Sequence, residues 1–277
     1  MSLIDSLALT TLRAQGFSSR FYATSGGEVH LMEAEGQGSG PPILMLHGLG
    51  SCSADYFFLM PALRKKARRI ITLDFPGHGA SGLPSAGMSP PVLERALLEV
   101  ADKLLTEPMV VFGNSLGGLV ALKLALNRPD RVQRLLLASP AGAPMTDRAF
   151  IDFVDGLRPQ SHAEAVLFVD RFMARRTRLR HVLAWGVRQR FGRKGVVDLL
   201  ERIGPEHMLT AEQLQSLPMP IWVFWGEHDR ILPTESREFY RNNLPPHAHF
   251  EDGSGFGHAP YLDHPLDFAE RLLRQAA

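Results

Sequence analysis

Two hydrophobic patterns alternate along the chain. Continuous apolar runs of four or five residues occur at 43–46, 70–73, 109–112, 135–138 and 221–225, and a further strand-like run at 247–251. Short unbroken runs of this kind suit strands buried on both faces of a parallel sheet. Near the start, 20–24 and 28–34 flank Ser25-Gly26-Gly27, which predicts a hairpin. Helix-forming stretches lie between the runs, at 91–105 and at 116–127, the second closed by Pro129. Strands alternating with helices predict a mostly parallel sheet, joined by right-handed crossovers and covered on both faces. A short helix is expected to open at Ser2 and Asp5 and to end at Gly16, packing through the side that carries Leu3, Leu7 and Ala14.

One region breaks the alternation. Between Pro140-Ala141-Gly142-Ala143-Pro144 and Pro218-Met219-Pro220 no strand pattern is found. The expectation is a core domain built from 1–140 and 213–277, with 141–212 inserted as a helical layer over one end of the sheet. The longest apolar stretch, 109–126, approaches the length of a membrane span. Asn114, Ser115, three glycines and Lys123 interrupt it, so it reads as strand, tight turn and helix. The N-terminus has no basic segment and Asp5 breaks its apolar run, so no secretory signal peptide is read and a cytoplasmic location is expected.

Composition narrows the classes further. The 277 residues correspond to about two average domains, or to one large domain with an insertion. With 45% hydrophobic and 21% charged residues the chain is globular rather than disordered, fibrous or disulfide-stapled. A single cysteine, Cys52, excludes an internal disulfide and a cysteine-built metal site. No metal or organic cofactor is expected, and there is no phosphate-binding loop motif.

The net charge of +1 hides an asymmetry. Nine of the 30 Lys/Arg fall at 171–194, where there is no Asp or Glu, so the remainder holds 21 basic against 29 acidic residues. The reading taken is a solvated helix face paired with the acidic main domain. Weak contact with an anionic membrane surface is the second reading. A nucleic-acid partner is set aside because the rest of the chain is acidic.

The candidate chemistry begins at Gly113-Asn114-Ser115-Leu116-Gly117, a G-x-S-x-G pattern between a strand-like run and a helix-forming run. A sharp strand-to-helix turn needs small neighbours and lifts the Ser115 hydroxyl to a helix N-terminus, where backbone N–H groups favour developing negative charge. A serine also needs a base. His258, in Gly253-Ser254-Gly255-Phe256-Gly257-His258-Ala259-Pro260, follows the last strand-like run. The carboxylate that orients such a base is sought just past a strand, in Trp225-Gly226-Glu227-His228-Asp229. Asp229 is preferred, with Glu227 as the local rival and Asp252 as a weaker one. Phe256 and Tyr261 flank the histidine, and Cys52 is expected at the pocket mouth as a bystander.

The order Ser115, Asp229, His258, together with the elbow, resembles the α/β-hydrolase superfamily over nearly the whole chain. Two further segments carry the resemblance: His47-Gly48-Leu49-Gly50 after the strand at 43–46, and Asp74-Phe75-Pro76-Gly77-His78-Gly79-Ala80-Ser81-Gly82. It implies an eight-stranded sheet, and oxyanion-hole amides at Leu49 and Leu116. It also implies a structural rather than chemical role for Asp74 and His78, and a variable cap at 141–212 whose apolar members face the substrate.

The activity implied is that of a serine hydrolase of esterase or lipase type, acting on a small ester with an apolar acyl group. A carbon–carbon hydrolase of the meta-cleavage type is the alternative, because those enzymes share the Gly-Asn-Ser-x-Gly-Gly elbow. They usually carry tryptophan soon after the histidine, where this chain has Ala259-Pro260-Tyr261. A non-catalytic ligand receptor on the same fold is the weakest of the three.

Overall fold

The structure, a computed structural model, describes residues 2–276. Eight strands form one sheet: β1 (Ser18–Thr24), β2 (Gly27–Glu35), β3 (Ile43–Leu46), β4 (Arg69–Leu73), β5 (Met109–Ser115), β6 (Val132–Pro140), β7 (Ile221–Gly226) and β8 (His249–Gly253). Their spatial order is β1-β2-β4-β3-β5-β6-β7-β8. β2 runs antiparallel to both of its neighbours, and every other pairing is parallel. This is the mostly parallel eight-stranded sheet that the resemblance implies.

Helices cover both faces. In chain order they are α1 (Leu3–Ala14), α2 (Leu59–Arg64), α3 (Pro90–Leu104), α4 (Leu116–Asn127), α5 (Asp147–Gly156) and α6 (His162–Phe172). Then come α7 (Arg180–Phe191), α8 (Lys194–Arg202), α9 (Ala211–Gln215), α10 (Thr234–Asn243), α11 (Pro260–Asp263) and α12 (Pro265–Ala276). α5 to α9 all lie between β6 and β7, and no strand interrupts them.

The continuous apolar runs are explained by what each face meets. Side chains alternate across a strand. Leu44, Leu46, Val111, Leu135, Leu137 and Val223 join one buried cluster with α3 and α4. Ile43, Met45, Val110, Phe112, Leu136 and Phe224 join a second cluster with α1, α2 and α12. Neither face is wet, so neither parity is polar.

Three local expectations are corrected. β8 begins at His249 rather than 247, because Pro245 and Pro246 lead into a turn closed by the Ala248 N–H on the Pro245 carbonyl. α1 has the expected Ser2/Asp5 capping box and ends at Gly16, whose φ of 88° suits a residue without Cβ. Its buried side is not the one expected, however. Leu9 and Leu12 are in the core, Leu7 and Ala14 are exposed, and the Leu3 side chain lies outside those described. Cys52 is 2% exposed and packs in the core rather than at a pocket mouth, where burial pushes its thiol well above the ordinary range.

Candidate active site

The elbow is a product of close backbone approach. At Gly117 a Cβ would stand 2.0 Å from the Leu46 carbonyl oxygen, and at Gly113 it would stand 2.3 Å from the Gly117 carbonyl oxygen. With glycine there, α4 starts immediately behind β3 and β5. Ser115 then takes φ 55° and ψ −121°, a strained conformation for a residue with a side chain. α4 begins at the next residue, so the Leu116 N–H lies in a first turn, where amides have no partner within the helix.

The loop after β3 approaches from the other side. His47 is fully buried, and its Nε2 accepts the Phe75 N–H at 3.0 Å. The ring proton therefore sits on Nδ1, which donates to the Gly48 carbonyl at 2.8 Å. The Ser51 N–H donates to the same oxygen. A planar trans peptide points its N–H opposite to its C=O. Holding the Gly48 carbonyl towards His47 thus turns the Leu49 N–H the other way, and Gly48, Leu49 and Ser115 line one cavity.

Of the three candidate carboxylates, only Asp229 meets His258. Its Oδ2 lies 2.8 Å from His258 Nδ1, and its Oδ1 accepts the N–H groups of Ile231 and Leu232 at 2.9 and 3.3 Å. Burial alone would raise this carboxyl, but the facing His258 and the two amides outweigh it and hold it below the ordinary carboxylate range. Glu227 is exposed, and Asp252 pairs with Arg237 and Arg241 on the surface.

The histidine loop is held on every side. The His258 carbonyl accepts from Asn114 Nδ2, which also donates to Ala138, while Asn114 Oδ1 accepts the Tyr261 hydroxyl. The His258 N–H donates to the Phe172 carbonyl at the end of α6. Asp263 accepts from Gly257 N and Ala174 N and so joins the same two segments. The sequence reading missed Asn114, Asp263 and the His47 bond, since none has a motif of its own beyond proximity to one.

Ser115, His258 and Tyr261 share a cavity of about 290 Å³ with apolar side chains from α5 to α7 and the residue just after α5, among them Phe153, Leu157, Phe168, Phe172, Val187 and Phe191. Phe256 is buried in the core and does not line it. The one Lys or Arg among the lining residues is Arg190 on α7, and it is already bound to Asp5 and Asp55. Asp74 lies outside the cavity: it binds His30, Ser53 and the Ala80 amide, and these bonds hold its carboxyl below the ordinary range although burial would raise it. Among the described residues, one trio has metal-ligand geometry, Asp5, Cys52 and Asp55, and the Arg190 guanidinium faces all three.

Fold and site together define a hydrolase built on a parallel sheet with a serine elbow and a buried Asp–His pair. Residues 43–271 match the family model described as "Alpha/beta hydrolase family", and the chain belongs to that family. It is 32% identical over 211 residues to a 2-hydroxymuconate semialdehyde hydrolase of Pseudomonas sp. (strain CF600), covering 72% of this chain and 74% of that one. It is 28% identical over 258 residues to a pimeloyl-[acyl-carrier protein] methyl ester esterase of Nitrosomonas europaea, covering 84% and 95%. Among solved structures, a bacterial membrane phospholipase A superposes with a TM-score of 0.81 at 20% identity, over 98% of this chain and 91% of that one.

Proposed function

We propose that the chain is a serine hydrolase that cleaves carboxylic esters of apolar acyl groups through an acyl-enzyme on Ser115. The observation that carries this is the strained Ser115 in the same apolar cavity as His258, whose Nδ1 is bound by buried Asp229. Ser115 Oγ attacks the carbonyl carbon while His258 takes its proton. The same proton passes to the departing alcohol, and water repeats the sequence to release the acid. Asp229 stays ionised, fixes the imidazole tautomer and stabilises the imidazolium. The N–H groups of Leu49 and Leu116 hold the tetrahedral oxyanion, each such donor being worth about 10²–10³ in rate. The helical insertion at 141–212 acts as a cap that supplies the apolar walls.

Cleavage of a carbon–carbon bond in an unsaturated diketo acid is the second reading, favoured by the relative at 32% identity. A neutral acyl group fits this cavity better than a carboxylate does, because its one lining Arg, Arg190, is engaged by two acids.

The test is labelling with a fluorophosphonate followed by a panel of p-nitrophenyl esters of rising chain length. Wild-type protein should label at Ser115 and turn over esters, and Ser115→Ala should lose roughly 10⁴-fold or more of that activity with its fold intact. An Ala variant as active as wild type sinks the assignment. Absent labelling would point to a receptor, and turnover of a vinylogous diketone in preference to esters would favour the second reading.

A further inference from the structure

The mouth of the cavity carries an unusual surface. Ile4 on α1, Val182, Leu183 and Trp185 on α7, and Leu262 on α11 all line the cavity and are all exposed, from 39% at Leu262 to 67% at Ile4. Leu7, one turn along from Ile4, and Leu179, just before α7, extend the same apolar rim at 69% and 62% exposure. A helix packed on a globular domain normally turns its apolar side inward. α7 buries only Ala184 fully; Val187 and Phe191 are half-buried on the cavity wall, while Val182, Leu183 and Trp185 stay exposed.

Charge accompanies this rim. Arg175, Arg178 and Arg188 are exposed and have no ion-pair partner among the described residues. Arg188 sits one turn beyond Trp185 on α7, and Arg178 adjoins Leu179. The other bases of the segment are spoken for: Arg176 and Arg180 by Asp170, Arg190 by Asp5 and Asp55, Lys194 by Asp198, Arg171 by the Arg230 carbonyl and Arg193 by the Gly79 carbonyl. Among the described residues the acids lining the cavity are Asp5 and Asp55, and both pair with the single guanidinium of Arg190, which leaves one negative charge in that trio. Three unpaired arginines outweigh that one charge, so the rim is apolar and net positive. Arg190 also ties α1 to α7, so that the two helices present one face.

We infer that this rim, formed by the start of α1, α7 and Leu262, docks on the surface of an anionic phospholipid bilayer, with the cavity mouth facing the lipid. Exposed Trp, Leu and Ile enter the headgroup boundary while unpaired arginines meet the phosphates. That an apolar ester passes from the bilayer into the cavity rests on the proposed chemistry; the docking itself does not. No helix among the described residues is long and apolar enough to cross a membrane.

The experiment uses the full chain with vesicles of phosphatidylcholine alone and of phosphatidylcholine mixed with phosphatidylglycerol, at low and high salt. Co-sedimentation is expected with the mixed vesicles and should weaken as salt rises. Trp222 and Trp225 are buried, so a blue shift of tryptophan emission on docking reports Trp185. Each arginine near such a surface is worth roughly fivefold in binding, so R175E/R178E/R188E should bind about 100-fold or more weakly while its turnover of a soluble short-chain ester is unchanged. That last arm separates loss of docking from failure of the proposed reaction. Equal binding to neutral vesicles, unaltered binding by the triple variant, or no binding overturns the inference. So does a dimer in light scattering whose Trp185 emission ignores vesicles, since a second copy would then cover the rim.

Discussion

Asn114 stands where β5, β6 and the histidine loop meet, and its amide closes all three. One Nδ2 group donates to the carbonyls of Ala138 and His258, and Oδ1 accepts from Tyr261. The residue is 2% exposed, so no water replaces these bonds when they are lost. Leaving a buried polar group unsatisfied costs about 1–3 kcal/mol. Asn114→Leu, which takes one bond from each of two carbonyls and a phenol, should lower the urea unfolding midpoint. It should reduce kcat for a soluble ester with little change in KM, because it loosens His258 rather than the acyl walls. An unchanged kcat would show that the loop is held without it. At this scale the sequence was informative where a steric rule applies. Gly113 and Gly117 announce an elbow because nothing larger fits beneath it, and Ser115 follows from them. Asn114 gave no separate sign, because its partners lie 24, 144 and 147 residues away along the chain.

Between elements, the end of α6 is stitched to both loops that hold the Asp–His pair. Phe172 accepts the His258 N–H, Asp263 bridges Gly257 to Ala174, and the N–H of Arg230, next to Asp229, donates to the Arg171 carbonyl while Arg171 Nε donates back to the Arg230 carbonyl. Displacement of α6 therefore pulls on His258 as well as opening the cavity. Asp263→Ala removes the acceptor for two amides, each costing about 1–3 kcal/mol when left unpaired in a partly buried setting. The expected result is a lower unfolding midpoint together with a fall in kcat. A variant that melts earlier but keeps full kcat would show that the bridge is only structural. The helical character of 141–212 was legible from the missing strand pattern. Its stitching was not, because Asp263 and Ala174 meet only after the chain has returned through β7 and β8. The basic cluster shows the same limit. Salt bridging to the main domain was the reading taken from sequence; Arg190 alone makes such an ion pair, Arg171 and Arg193 bind the Arg230 and Gly79 carbonyls, and the rest pair within 147–202 or stand free.

The whole molecule is built around a sheet dry on both sides, and it encloses ionisable groups that must stay neutral. His78 is 1% exposed; burial first, then the neighbouring His47 and Arg193, push it down to about 3, against the opposing Pro76 carbonyl and Asp74. His47 is lowered too, chiefly by burial. In the unfolded chain a histidine takes up its proton near 6.5. The stability that goes with a neutral buried ring is therefore complete above about 6.5 and falls as pH drops towards about 3, by at most about 1.4 kcal/mol per pH unit for each such ring. Acid should destabilise the fold across that range, and His78→Gln should make the slope of unfolding free energy against pH shallower between about 6 and 4. Parallel slopes for the variant and wild type, from urea melts at stepped pH, would count against a neutral buried His78.

By itself the sequence determined the strand-and-helix alternation, the elbow and the order of its three candidate site residues. Each of these rests on local sterics or on burial period, which a short window of residues contains. Tertiary structure decided which carboxylate among Asp229, Glu227 and Asp252 meets His258, which side of α1 is buried, and which arginines are left without partners. Those outcomes depend on distances between segments far apart in the chain, and such distances exist only once the sheet has closed its order.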